Sequence, residues 1–449
     1  MSETLDRADP RETLASLVSA ARAAGADAAD AMLAAGASLS LQMRLGEVEN
    51  VERAEGFDIG LRVFVGKRQA IVSTTDADPR GFAALAERAV AMARTVPEDP
   101  FGGLPDCVPS IAGTPLDMDD GVEPDVAALT ARARRAEDAA RAIPGVTNSE
   151  GADAGWSRTV IALAASNGFA GTYTRSGHSL SVTALAGQGT GMERDYDYAS
   201  ATHLSDLDAP ETLGRNAGER AVRRLNPIRP PTARLPVIYD PRVAGSIVGH
   251  LVGAANGASV ARGTSFLRDR MGTQVMAKGL TIRDDPTRPR GPRSRPFDAE
   301  GMPTGPLAIV EDGVLRHWLL DWRAARQLNL ASNGRAARAV GGTPSPSSTN
   351  LWLEAGALSP EALMADIVEG LYVTEMIGTS INGLTGDYSR GASGYMIRGG
   401  QLAEPFSGVT IAGNLLEMFL HVTPADDLRF RRGTDSPTLR IDGLTMAGA

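Results

Sequence analysis

Glycine recurs at every fourth position, Gly245, Gly249, Gly253 and Gly257, inside an eighteen-residue stretch from Ala244 to Ala261 that carries no charge. Residues four apart share one face of an α-helix, so this spacing draws a stripe without side chains. Each glycine costs about 1 kcal/mol of helix propensity relative to alanine. Four in series need a compensation. Close backbone approach of a neighbouring element supplies one, and the same glycines can also shape a substrate channel. Asp240-Pro241, just before the stretch, reads as an N-cap with proline at the first helical position. Eighteen uncharged residues approach the length of a membrane span. Four glycines, two serines, an asparagine and a histidine lower the apolarity, and the stretch reads as a buried helix of a soluble domain.

With 449 residues the chain is long enough for two or three domains, each with its own core. Its 45 basic residues against 54 acidic ones give a net charge of -9. Phosphate binding needs a basic footprint, so this balance argues against nucleic acid as a direct partner. Cys107 is the single cysteine and cannot form an internal disulfide, so nothing implies an oxidising compartment. The start, MSETLDRADPRETLASL, is charged and lacks the apolar core of a signal peptide. The expectation is a cytoplasmic protein without a membrane partner.

Periodicity and turn residues predict an α+β chain. Helices are expected over Pro10 to Ala24, with Leu14, Leu17, Val18 and Ala21 inside, and over Asp78 to Arg94. Between them, strand-like runs with turns near Gly36, Gly56 and Gly66 predict an antiparallel sheet. Residues 1–96 therefore read as an N-terminal α/β module, and the Pro-, Gly- and Asp-rich residues 97–122 as a linker. Residues 123–228 form a helix-rich middle segment, with helices at Glu123 to Ile143 and Pro210 to Arg224 and a hairpin turn at Asn167-Gly168. After the Pro-Arg boundary RPPTARLP, residues 235–449 read as a β-rich, barrel-like C-terminal domain carrying the glycine-striped helix. The Pro-Arg-rich Asp285 to Arg295 should be a loop.

The stripe helix, DPRVAGSIVGHLVGAANGASVARG, resembles the signature helix of the TldD/PmbA family of metallopeptidases. That family's catalytic members carry H-E-x-x-x-H there. Laid on the shared Val-Gly-His, the first histidine falls on Gly245, the glutamate on Ser246, and only the second survives, as His250. Zinc hydrolysis needs three protein ligands and a carboxylate base for the bound water. The resemblance further implies a zinc-binding cysteine near the C-terminus, and the tail DDLRFRRGTDSPTLRIDGLTMAGA has none. Gly245, Ser246 and His250 thus read as a vestigial motif, with no catalytic residue and no metal ligand set in this chain. Positions five apart sit ~140° apart on a regular helix, so the family's two histidines need a distorted or ending helix to share a metal.

Two further blocks carry the resemblance. LTGDYSRGASGYMIRGGQLAEPFSGVTIAGNLLEMF, Leu384 to Phe419, is close to the version in the PmbA (TldE) branch. Its glycines predict tight bends in a loop able to clasp an extended peptide through main-chain hydrogen bonds. Arg262, Asp387, Tyr388, Ser389, Arg390 and Tyr395 are the candidate residues bordering a peptide cleft. PSPSSTNLWLE, Pro344 to Glu354, predicts a strand able to offer an edge to a peptide or a partner. The resemblance implies a TldE-like subunit that shapes the cleft for unfolded or small peptides, while a TldD-like partner supplies zinc in a heterodimer. The family's description as modulators of DNA gyrase is better explained by proteolysis than by contact with DNA. A homodimeric, metal-free peptide-binding or scaffold protein is the alternative.

Overall fold

The computed structural model describes residues 9–106 and 115–448, so Cys107 and the chain start lie outside the described residues. Helix α1 (Pro10–Ala23) starts where the Asp9 carboxylate accepts from the Arg11 N–H, and it buries the predicted Leu14, Leu17, Val18 and Ala21. Strands β1 (Ala28–Arg44), β2 (Glu47–Val65) and β3 (Arg68–Thr74) and helix α2 (Phe82–Ala93) follow. The middle segment holds α3 (Val126–Arg141), β4 (Val146–Ala165), β5 (Ala170–Ala186), β6 (Glu193–Ala201) and α4 (Pro210–Arg223). The turn predicted at Asn167-Gly168 joins β4 to β5, with Gly168 at φ 95°.

These six strands form one sheet in the order β3-β2-β1-β4-β5-β6. Strand β1 is the seam, antiparallel to β2 on one side and to β4 on the other. Alternate residues of a strand share a face. Accordingly Ala29, Ala31, Leu33 and Ala35 enter the core under α1 and α2, and Ala37, Leu39, Leu41 and Met43 enter the core under α3 and α4. All four helices cover the same face. Two expected turns are absent here: Gly36 and Gly56 sit opposite each other in mid-strand. A Cβ on Gly36 would stand 2.5 Å from the Arg158 carbonyl of β4, so this glycine serves close strand approach. The turn falls at Leu45-Gly46, whose φ values of 51° and 83° suit a two-residue hairpin.

In the C-terminal half, β7 (Ala233–Tyr239) leads into α5 (Pro241–Ala254). Strand β7 joins Glu369–Ile381, Asp387–Arg398, Gln401–Asn414 and Leu439–Ala447 in a five-stranded barrel. Pairing of Thr410 with Ala447 and Ala412 with Thr445 closes it. The block expected to be a peptide-clasping loop is therefore mostly two barrel strands that turn at Gly399-Gly400. Gly394 makes no bend; its missing Cβ would lie 2.0 Å from the Tyr372 carbonyl across the ladder. Leu351–Leu353 is likewise no free edge, since it pairs with Ile282–Asp284 on one side and Thr434–Asp435 on the other. No described helix is long and apolar enough to cross a membrane.

The C-terminal half docks on the helix-free face of the six-stranded sheet through a buried ionic knot. Asp30 of β1 accepts from Arg62 Nε at 2.9 Å and pairs with Arg338 at 2.8 Å, and Arg62 lies 3.7 Å from Glu300. Each of these side chains is at most 3% exposed. Arg335 and Asp284 form a second buried pair at 2.6 Å. Burial pushes the Glu300 carboxyl up to about 8, against the pull of Arg62.

Candidate functional site

Helix α5 is regular from Pro241 to Ala254, and the Asp240 carboxylate accepts from the Arg242 N–H at 2.9 Å. It breaks at Ala255, after which Asn256 caps a short helix, Gly257–Ala261. The apolar side of α5, Ala244, Ile247, Val248, Leu251 and Val252, is buried in the C-terminal core. On the other side Gly245, Ser246, Gly249 and His250 line a cleft of about 590 Å³. The glycine stripe divides by function. A Cβ on Gly245 would lie 2.9 Å from the Thr434 carbonyl and one on Gly257 2.7 Å from the Leu319 carbonyl, whereas at Gly249 and Gly253 it meets nothing within 4 Å. The ends of the stripe pack; its middle leaves space.

Three distant segments complete the cleft: Tyr198 and Ser200 of β6, Arg293 of the Pro-Arg-rich loop, and Arg432, Gly433 and Thr434 near the C-terminus. Arg242 on the first turn of α5 adds a third guanidinium. None of these lining residues carries a carboxylate. Arg242 is paired with Asp195 at 2.7 Å. Arg432 donates to the Arg242 carbonyl at 3.0 Å and sits 4.7 Å over the Tyr198 ring. Arg293 donates to Thr434 Oγ1 at 3.4 Å and lies against Gly433, where a Cβ would come within 2.0 Å of its Nε.

His250 has a buried Nε2 with no hydrogen-bond partner among the described residues, and its ring meets Tyr388 edge-on at 6.1 Å. Burial and the nearby Arg390 guanidinium push its pKa down to about 4, so the imidazole is neutral at pH 7. Arg390 donates from Nε to the Gly378 carbonyl at 2.6 Å and reaches Ser246 Oγ at 3.5 Å. Ser246 in turn donates to the Val243 carbonyl at 2.7 Å. Burial raises the Tyr388 phenol to about 12.

Of the residues named from sequence, Gly245, Ser246, His250, Tyr388 and Arg390 come together at α5. Ser389 lies between the last two on their strand, opposite Ala412. The other three stand elsewhere. Arg262 is exposed after the short helix, 3.4 Å from Ser259 Oγ. Asp387 is exposed and accepts from Thr385 Oγ1 at 2.6 Å and Asn414 Nδ2 at 3.2 Å, which ties down the start of its strand. Tyr395 is buried beneath Arg223, whose guanidinium lies 5.0 Å from the ring centre. Sequence reasoning missed Tyr198, Ser200, Arg242, Arg293 and Arg432. The only signals were the Pro-Arg-rich loop and the basic run from Arg429 to Arg432, which read as a loop and a tail.

A zinc site needs three or four N, S or O donors converging on one point. Among the described residues no group of three His, Cys, Asp or Glu side chains does so. His250 faces glycine, serine and guanidinium groups, a donor set that does not fit zinc. The cleft continues instead onto the helix-free face of the large sheet. A second cavity of about 400 Å³ shares Ser200 and is lined by Ser38, Ser40, Ser157 and Ser179.

Family models described as PmbA/TldA metallopeptidase match the chain in order: domain 1 over residues 29–93, the central domain over 119–225 and the C-terminal domain over 232–448. The chain is 36% identical over 429 residues to a protein of Escherichia coli O157:H7 named metalloprotease PmbA, covering 94% of this chain and 92% of that one. A Haemophilus influenzae protein named metalloprotease PmbA homolog is 32% identical over 441 residues, covering 98% and 96%. TldE from Thermococcus kodakarensis matches in structure with a TM-score of 0.86 at 19% identity, over 96% of this chain and 99% of its own. A Thermotoga maritima protein described as a modulator of a DNA gyrase gives 0.86 at 22%, over 97% and 99%. These two structural likenesses establish the shared fold.

Proposed function

The chain belongs to the PmbA/TldD metallopeptidase family, and from that premise we propose that it is a TldE-like, metal-free subunit of a cytoplasmic peptidase. In this reading a TldD-like partner supplies the zinc, the hydrolytic water and the general base. This chain shapes the cleft that presents unfolded or small peptides to that centre. Its own residues bind and orient; none takes a proton from the attacking water.

The observation that carries the proposal is the state of the motif helix. The Gly245 backbone is packed against Thr434, so α5 and the C-terminal segment still meet. The cleft beside them remains open at Gly249, yet its walls present guanidinium, hydroxyl and one neutral imidazole in place of carboxylate and thiolate. Architecture and volume persist where metal chemistry has no donors. The cavity that shares Ser200 gives an extended chain room beyond the helix.

The test is reconstitution with a TldD-like chain from the same host that keeps H-E-x-x-x-H. Cleavage of an unfolded polypeptide is expected from the mixture, with co-elution of the two chains, and not from this chain alone. If the chain associates only with itself and leaves the partner's assembly and activity unchanged, the homodimeric scaffold takes the place of the subunit reading.

A further inference from the structure

We infer that the arginine end of the α5 cleft binds a carboxylate group of the peptide, its C-terminus or an acidic side chain. The inference rests on the reading that the cleft takes peptides, and it adds the chemistry by which the cleft holds them.

Arg293 and Arg432 carry it. Neither guanidinium forms a salt bridge among the described residues; their contacts are a hydroxyl, main-chain carbonyls and an aromatic face. Asp197, Asp240, Asp427 and Asp435 share a neighbouring pocket with Arg432, and none of them forms a salt bridge with it. Asp195 pairs with Arg242, and buried Asp435 accepts from the Arg431 and Arg432 N–H groups at 3.0 and 2.9 Å. Arg432 is held between the first turn of α5 and Tyr198, and the exposed Arg293 side chain lies against Gly433. A planar guanidinium already fixed in position loses little further freedom when it binds a carboxylate through two parallel hydrogen bonds. His250 lines the same cleft, and the bare Gly249 leaves room beside it. In a chain of net charge -9, a cleft with arginines and no carboxylate in its lining is a local attractor for an anionic group.

Two sources offer this chemistry in a peptide, the C-terminal carboxylate and an Asp or Glu side chain. Binding of fluorescent short peptides to the full-length chain separates them: a Glu-containing peptide with a free C-terminus, its C-terminal amide, and the Gln version of each. The Glu-containing free acid is expected to bind, with affinity falling as salt rises. Arg293→Gln and Arg432→Gln should each weaken it ~10-fold or more, the scale of a lost charge-assisted hydrogen bond. Gly249→Leu should abolish binding while the chain keeps its circular dichroism spectrum, which covers the case in which Arg432→Gln misfolds. Loss on amidation assigns the C-terminal carboxylate, and loss on Glu-to-Gln exchange assigns the side chain; either supports the inference. Equal affinity for all four peptides, or unchanged affinity in Arg293→Gln, overturns it and leaves peptide handling intact. No binding of any peptide, by this chain or by its complex with the zinc partner, overturns both.

Discussion

The ionic knot under β1 and the cleft on α5 are both rich in arginine, and they differ in what the arginines face. In the knot Arg62 and Arg338 meet Asp30, Arg335 meets Asp284, and each of these side chains is at most 3% exposed. In the cleft the exposed Arg293 and the half-buried Arg432 meet hydroxyl, carbonyl and ring. A buried ion that loses its counterion stays desolvated and unpaired, a large penalty, whereas a solvent-facing guanidinium loses little. Charge closed on itself between Asp30, Arg62 and Arg338 ties the two halves of the chain together, and the Arg335–Asp284 pair braces the C-terminal half. Charge left facing solvent is free to meet a ligand.

The largest effect expected is Arg338→Ala, which leaves Asp30 short of a counterion and should destabilise the fold by about 3–5 kcal/mol in urea unfolding. A loss below about 1 kcal/mol would show that the knot is not what joins the halves.

The two regions should also respond to pH with opposite sign. Glu300 holds its proton up to about 8 when folded, against 4.5 as the ordinary value. The native state therefore binds more protons across that window, and this contribution to stability is full below about 4.5 and declines as pH rises to 8, by up to ~1.4 kcal/mol per unit. His250 is depressed from 6.5 to about 4, so the unfolded chain takes up the proton first and stability falls as pH drops through that range. Across pH, Glu300→Gln should remove the decline in stability between about 4.5 and 8, and His250→Gln the fall between about 6.5 and 4. An NMR titration that finds His250 half-protonated near 6.5 would contradict the positive, desolvated cleft.

Next in size is the glycine stripe. Gly249→Ala should gain up to ~1 kcal/mol, because helix propensity improves and the new Cβ meets nothing. Gly257→Ala should lose stability, since its Cβ would press on the Leu319 carbonyl and Leu320. Equal effects would mean that the stripe is uniform packing. Smallest of all, Arg293→Gln should shift unfolding by less than about 0.5 kcal/mol, in contrast to Arg338→Ala.

What could be read from the residues follows from where their information lies. Helix α1 was legible because Leu14, Leu17, Val18 and Ala21 repeat at helical spacing after a capping Asp9. Strand β1 was legible only as two strand runs broken near Gly36, since AADAMLAAGASLSLQMR offers small residues with little contrast between faces, and Gly36 resembles a turn until β4 lies beside it. The α5 face was legible from its glycines and His250. The rest of the cleft joins β6, a loop near 293 and the C-terminal segment, and no local pattern marks arginines that only the fold assembles. The tail that lacks a cysteine does reach the site, bringing Arg432 and Thr434 to it.

The central claim is that this subunit holds no catalytic metal of its own. Elemental analysis of the purified chain, alone and mixed with the proposed TldD-like partner, tests it most directly. The account predicts zinc far below one per chain for the protein alone, and about one per pair in the complex, lost when the partner's H-E-x-x-x-H is mutated. Tightly bound zinc near one per chain in this protein by itself would contradict it.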